Sequence, residues 1–216
     1  MSDPHSSAVA HHFEDMPQQR EAATLGMWAF LATEVLFFGG LFISYLVYRS
    51  SNPEMFVAAS QKLDVMLGAV NTFILLGSSL TMALAVHAAQ EGKRTQTVRF
   101  MIFTLLLGLV FLGIKSYEYA HKFEEGLFPG AGFRFEEPFA QSAQIYFSLY
   151  FAMTGIHGLH MIIGMVILVI MIVFARRGKY TAEYYQPVEL FGLYWHFVDI
   201  VWIFLYPLLY LIRVHA

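Results

Sequence analysis

Glu189-Leu190-Phe191-Gly192-Leu193-Tyr194-Trp195-His196-Phe197-Val198-Asp199-Ile200-Val201-Trp202-Ile203-Phe204-Leu205-Tyr206 is apolar enough to sit in lipid, yet it carries Glu189, His196 and Asp199. An ionisable group at mid-bilayer costs at least ~2.5–3.5 kcal/mol on insertion scales, so such groups face a bundle interior and mark function or packing. This stretch predicts a membrane helix with a polar seam. The rest of the chain agrees with that class. Of 216 residues, 57% are hydrophobic and only 13% charged, against about 25% charged in a soluble domain. A net charge of −3 argues against nucleic acid as a partner. With no cysteine, disulfides, Cys-ligated zinc and iron–sulfur clusters are excluded.

Runs near the ~20 residues needed to cross a bilayer recur five times, at Leu25–Tyr48, Val65–Gln90, Val98–His121, Ser142–Phe174 and Gln186–Ile212. No ten-residue alternation of polar and apolar residues suggests barrel strands. Turn signals separate the runs: Ser50-Ser51-Asn52-Pro53, Glu91-Gly92-Lys93, Phe128-Pro129-Gly130-Ala131-Gly132 and Arg176-Arg177-Gly178-Lys179. The reading is an all-α, polytopic membrane helical bundle. Residues 1–24 form a polar tail without the apolar core of a signal peptide, and residues 25–216 form a five-helix membrane domain. No internal repeat is evident.

Orientation follows from the basic residues. With the N-terminus inside, the inner segments hold Arg20, Lys93, Arg94, Arg99, Arg176, Arg177 and Lys179. The outer ones hold Arg49, Lys62, Lys122, Arg134 and Arg213, with Glu124, Glu125, Glu136 and Glu137 in the longest loop. Short, basic inner loops are what the positive-inside rule requires, so the C-terminus is expected outside.

Glu34 sits mid-span in Leu31-Ala32-Thr33-Glu34-Val35-Leu36-Phe37-Phe38 and needs a partner there, as a proton- or lipid-linked group or as a tie between helices. Thr154-Gly155-Ile156-His157-Gly158-Leu159-His160 puts His157 and His160 at i and i+3, on one helical face. His196 and Asp199 share that spacing, with Glu189 seven residues before His196. Such a set suits a metal or haem in a bundle core, or a hydrogen-bond network that fixes packing. Glycines 155, 158 and 164 allow close helix approach and favour the network. Lys115 is expected to snorkel or to pair with Glu118. Lys93, Arg94, Arg99, Arg176 and Arg177 suit topology first and anionic lipid headgroups second.

Five motifs in order now bear a family resemblance: Thr33–Phe38, Val70-Asn71-Thr72, Ser116-Tyr117-Glu118-Tyr119, Thr154–His160 and Tyr194–Trp202. Together, from about Gly26 to Arg213, the chain resembles subunit III of the haem–copper oxygen reductases, the cytochrome c oxidase type. The resemblance implies a non-redox accessory subunit with no catalytic centre and no metal of its own, haem and copper residing in partner subunits I and II. It implies contact chiefly with subunit I, then with subunit II and a small subunit IV, in a bacterial inner (plasma) membrane and within reach of a respiratory supercomplex. In the family the carboxylate matching Glu34 is the buried, carbodiimide-reactive glutamate, and phospholipids fill a cleft between two helix groups. Subunit III is implied to sustain proton uptake into subunit I, which reduces oxygen to water and pumps protons, and to protect it during turnover.

Seven-helix members begin with two helices that have no counterpart here, so the chain looks like the shorter five-helix bacterial form, and another subunit or open lipid is expected on that side. Asp3, Glu14, Asp15, Glu21 and the histidines at 5, 11 and 12 are candidate proton collectors or plain solvated chain. A partner of a quinol oxidase or of a nitric oxide reductase is an alternative. So are a self-contained redox protein using His157, His160 and His196, and a proton-coupled transporter built on Glu34 and Asp199.

Overall fold

The computed structural model describes residue 13, residues 15–135 and residues 139–212, with only the backbone at 140 and 141. Among the described residues there is no strand. Six helices run in order: α1 (Met16–Ser51), α2 (Pro53–Ser60), α3 (Val65–Gln90), α4 (Arg94–Glu124), α5 (Ala140–Arg176) and α6 (Gln186–Tyr210). All but α2 are long and apolar enough to cross a membrane.

α1 outruns its apolar segment because a polar cap extends it. The Asp15 side chain accepts from Gln18 N at 2.8 Å and starts α1, nearly three turns before Leu25. At 36 residues, α1 is about 54 Å long at 1.5 Å per residue, well beyond the ~30 Å hydrocarbon core. The short basic turns end their helices by one device. Gly92 and Gly178 take φ of 69° and 75°, a left-handed conformation that costs a residue without a Cβ little. Their neighbours then close the orphan carbonyls, Lys93 N to Ala88 O at 2.8 Å and Lys179 N to Phe174 O at 3.1 Å.

These turns gather at one end of the bundle. Arg94 Nε donates to Ala175 O at 3.1 Å, tying the start of α4 to the end of α5. Gln186 Nε2 donates to Arg20 O at 2.7 Å, and Arg20 donates back to Glu183 O. Truncating Arg94 to Ala removes a cation from the α5 C-terminus, and a loss of about 0.5–1 kcal/mol is expected. The predicted signature is faster amide exchange over the last turn of α5 and the 177–185 loop, with the centre of α5 unchanged.

α6 is the axis of the bundle. It packs on α1, α3 and α5, while α3 also packs on α4 and α4 on α5. Trp195 and Trp202 are fully buried, and each indole N–H has a partner, Ser78 Oγ at 3.1 Å and Thr72 Oγ1 at 3.0 Å. At the end remote from the basic turns, the last-turn carbonyls of α6 are met from two sides, Leu208 O by Tyr45 and Leu209 O by Tyr146 at 2.8 Å.

α1 is peripheral and uses a single seam. Its buried residues are Leu31, Phe38 and Tyr45, seven apart, and Glu34 lies on the same seam three residues after Leu31. Much of the rest of α1, including Leu25, Val35, Leu36 and Ile43, is exposed. The Asn52-Pro53 turn opens directly into α2, with Pro53 in its first turn. α2 buries Phe56 edge-on between Tyr45 and Tyr146, at centroid distances of 5.2 and 5.3 Å.

Candidate functional site

The seam on α1 delivers Glu34 to α5. Its Oε2 lies 3.1 Å from His160 Nε2, with the two side chains only 17% and 16% exposed. His160 is held on three sides. Its Nδ1 bonds Ile156 O at 2.9 Å, Phe38 meets the ring edge-on at 5.4 Å, and Tyr194 OH donates to His160 O at 2.8 Å. A carbonyl only accepts, so Nδ1 carries hydrogen. The two groups are at ion-pair distance, but Glu34 Oε2 is not in full hydrogen-bond geometry.

His160 also lines an apolar groove between α1, α5 and α6, with a cavity volume of 670 Å³. Met27, Phe30, Ile167, Phe174 and Leu190 are among its walls. Phe174 lies toward the basic end, and Lys179 Nζ sits 4.2 Å from its ring centroid. The sequence reading missed Lys179 as a group at this groove. The signal was Gly178, which turns the chain back over α5.

A second polar centre lies in the remote half of α4. Lys115 is buried and gives each of its three donors a target: Glu118 Oε2 at 2.9 Å, Tyr150 OH at 3.2 Å and Tyr210 OH at 2.9 Å. Glu118 Oε1 in turn accepts from Tyr150 at 3.0 Å and from Tyr210 at 2.5 Å. Rings of Tyr119, Tyr150, Trp202 and Tyr210 surround the ammonium at 5.1–5.6 Å, which adds cation–π attraction to the ion pair. Of the two options in the sequence, the pair is what forms. The two tyrosines that complete it come from α5 and α6, which no spacing in the sequence announces.

The histidine pairs diverge. Three residues turn a helix by roughly 300°, enough to send His157 and His160 to different neighbours. His157 Nε2 bonds Val198 O at 3.2 Å, and its ring lies 5.6 Å from Phe111 and 5.2 Å from Trp202. His196 Nδ1 meets Ser79 Oγ at 2.7 Å. Asp199 is buried against α3, with Ser79 reaching toward it but neither carboxyl oxygen in full hydrogen-bond geometry. Glu189 stands in the first turn of α6, where the helix dipole favours a carboxylate, about 10 Å along the axis from His196. Among the described residues, no group of three or more His, Asp or Glu side chains converges as metal ligands would.

Of the basic candidates, Arg94 is engaged with α5 and Lys93 pairs with Glu91 at 2.8 Å, while Arg99, Arg176 and Arg177 are exposed. Asp15 caps α1 and Glu21 is exposed on it. Asp3, His5, His11, His12, Glu14, Glu136, Glu137 and Arg213 lie outside the described residues.

Residues 7–214 match the family described as Cytochrome c oxidase subunit III. The chain is 34% identical over 195 residues to a Staphylococcus aureus (strain USA300) protein named probable quinol oxidase subunit 3, covering 89% of this chain and 90% of that relative. It is also 34% identical over 215 residues to human cytochrome c oxidase subunit 3, covering 95% of this chain and 74% of the longer human one.

Proposed function

The chain belongs to the cytochrome c oxidase subunit III family, and from that premise we propose that it serves as the accessory, non-redox subunit of a bacterial respiratory terminal oxidase. Haem, copper and the oxygen chemistry belong to partner subunits I and II in this reading, with subunit I the main contact and a small subunit IV alongside. The membrane is the bacterial plasma membrane, with the basic end of the bundle on the cytoplasmic side. The electron donor is cytochrome c or a quinol, since relatives named for each are equally identical to the chain.

The observation that carries the mechanism is the Glu34–His160 pair at the edge of the apolar groove. An acyl chain suits the groove walls, and a lipid phosphate suits the basic end, where Lys179, Arg176 and Arg177 stand. Glu34 and His160 then act as a positioning pair. They hold α1 against α5 and keep the groove in shape. Lipid retention and a stable inner surface would sustain proton entry into subunit I through long turnover.

Oxidase carrying Glu34→Gln or Glu34→Ala tests this. Gln keeps a polar group of the same size against His160, whereas Ala removes it. One interhelical polar contact is worth about 0.6–1.7 kcal/mol, roughly threefold to twentyfold in an equilibrium it governs. Haem spectra and initial turnover should be unchanged in both variants. Bound phospholipid and turnover lifetime should fall, more in the Ala variant. Wild-type lipid content and lifetime in both would refute the role given to the pair.

A further inference from the structure

One face of α6 is left open between its neighbours. α1 and α3 both pack on α6, but among the described residues no helical seam joins α1 to α3. Between them α6 presents Leu193, His196, Ile200 and Phe204 at helical spacing. The first two are partly exposed, the last two 50% and 55% exposed. Contacts mark both edges of this stripe. His196 Nδ1 meets Ser79 of α3 at 2.7 Å, and Phe204 faces Phe42 of α1 at a centroid distance of 6.4 Å. On α3, the exposed residues Leu76 and Ala83 flank Ser79 at one turn to either side. The stripe is the floor of a furrow, with α1 and α3 as its walls.

Hydrogen-bond accounting shows what the furrow lacks. His196 Nδ1 is taken by Ser79, and Nε2 has no hydrogen-bond partner among the described residues. Unlike His157 Nδ1 and both Asp199 oxygens, Nε2 is not one of the unpaired atoms sealed inside the bundle. It opens on the partly exposed side of the residue, onto the furrow. His196 stands about 15 Å along α6 from Gln186, near the centre of the ~30 Å hydrocarbon core. Headgroups and water do not reach that depth, and an acyl chain has neither donor nor acceptor to offer. Leaving a ring nitrogen unpaired there is costly.

We infer that this furrow receives one transmembrane helix of a partner oxidase subunit, which sets a hydroxyl or carboxamide side chain against His196 Nε2. Such a group can donate or accept, so it answers either tautomer of the ring. Ser79 fixes the ring from Nδ1 and leaves Nε2 free for the partner. One polar contact within an apolar stripe sets the register of the incoming helix, while Leu193, Ile200 and Phe204 supply packing area around it. Ala83 keeps the α3 wall low beside the contact, and small residues allow the close approach usual between helices in lipid. This inference rests on the reading of the chain as an oxidase subunit and adds the surface by which it docks.

The test uses the whole complex in its native membrane. A photo-crosslinking amino acid replaces Ile200, one turn beyond His196, and a separate variant, Ala83→Leu, raises the wall beside Ser79. Expected is a crosslink from position 200 to an apolar segment of another polypeptide of the haem-containing complex, with a Ser, Thr, Tyr, Asn or Gln within one turn of the linked residue. Expected too is about tenfold less Ala83→Leu chain in that complex at unchanged membrane abundance. If the wild-type chain carries haem subunits but position 200 crosslinks only to lipid, to a second copy of this chain or to nothing, the furrow proposal is overturned while the oxidase reading stands. A linked segment without such a side chain, or normal assembly of Ala83→Leu, overturns it as well. Should the Leu variant prove unstable, the crosslink decides alone. A wild-type chain that carries no haem subunit refutes the oxidase reading, and the proposal with it.

Discussion

Lys115→Met and Glu118→Met are each expected to destabilise the protein by about 3–5 kcal/mol, the cost of stranding one member of a buried ion pair. The double variant should be more stable than either single one. Removing Lys115 leaves Glu118 with the two phenol donors but an empty Oε2. Removing Glu118 leaves an ammonium among rings, with no counter-charge. With both gone the site becomes a tyrosine pair in an apolar setting, and the rings of Tyr150 and Tyr210, 6.4 Å apart, stay within reach of each other. Thermal unfolding of the purified membrane protein closes this double-mutant cycle. Near-neutral single variants, or a double variant as poor as the sum of the singles, would show that the pair carries little of the stability of this half of the bundle.

Trp195→Ala should cost a comparable amount, about 3–5 kcal/mol. The indole fills the space above two glycines at once, 3.3 Å from where a Cβ on Gly108 would sit and 3.1 Å from one on Gly164, so it joins α4 and α5 through α6. Truncation opens a cavity that three helices cannot close by a side-chain movement, and it frees the Ser78 hydroxyl that accepts the indole N–H. Trp28, 59% exposed on α1, is the comparison, and Trp28→Ala should change stability by no more than about 0.5 kcal/mol. Equal losses at the two positions in thermal unfolding would contradict the placement of α6 at the core.

Much of this architecture is legible in the residues themselves. Apolar length predicts five spans because a bilayer admits few other solutions. Glu91-Gly92-Lys93 and Arg177-Gly178-Lys179 announce helix ends because the left-handed residue after a helix is most cheaply a glycine. The heptad of Leu31, Phe38 and Tyr45 places Glu34 on a packed seam, but nothing in the order of helices says that His160 waits opposite. Equal spacing of His157 and His160 gives them adjacent directions, and α1 and α6 convert that small angle into separate roles. α2 escapes a hydropathy reading because it is short and lies between two spans. Its aromatic anchor, Phe56, gains meaning only when Tyr45 and Tyr146 stand on either side.

Site chemistry is less legible than fold for the same reason. The four groups in the Lys115 cluster are drawn from three different helices, and partner choice between helices is a property of packing rather than of spacing. Glycine illustrates both limits. Gly155, Gly158 and Gly164 look alike in sequence, yet only Gly164 is filled from within the chain.

The central claim, that this chain is an accessory subunit of a terminal oxidase, is tested most directly by mild-detergent affinity purification from the native membrane. A reduced-minus-oxidised visible spectrum and mass spectrometry of the co-purifying polypeptides supply the readout. Haem bands together with a subunit I and a subunit II are the predicted result, and the type of subunit II then identifies the electron donor. A chain recovered alone and without haem, or one that keeps a haem band after all partners are stripped away, would contradict the claim.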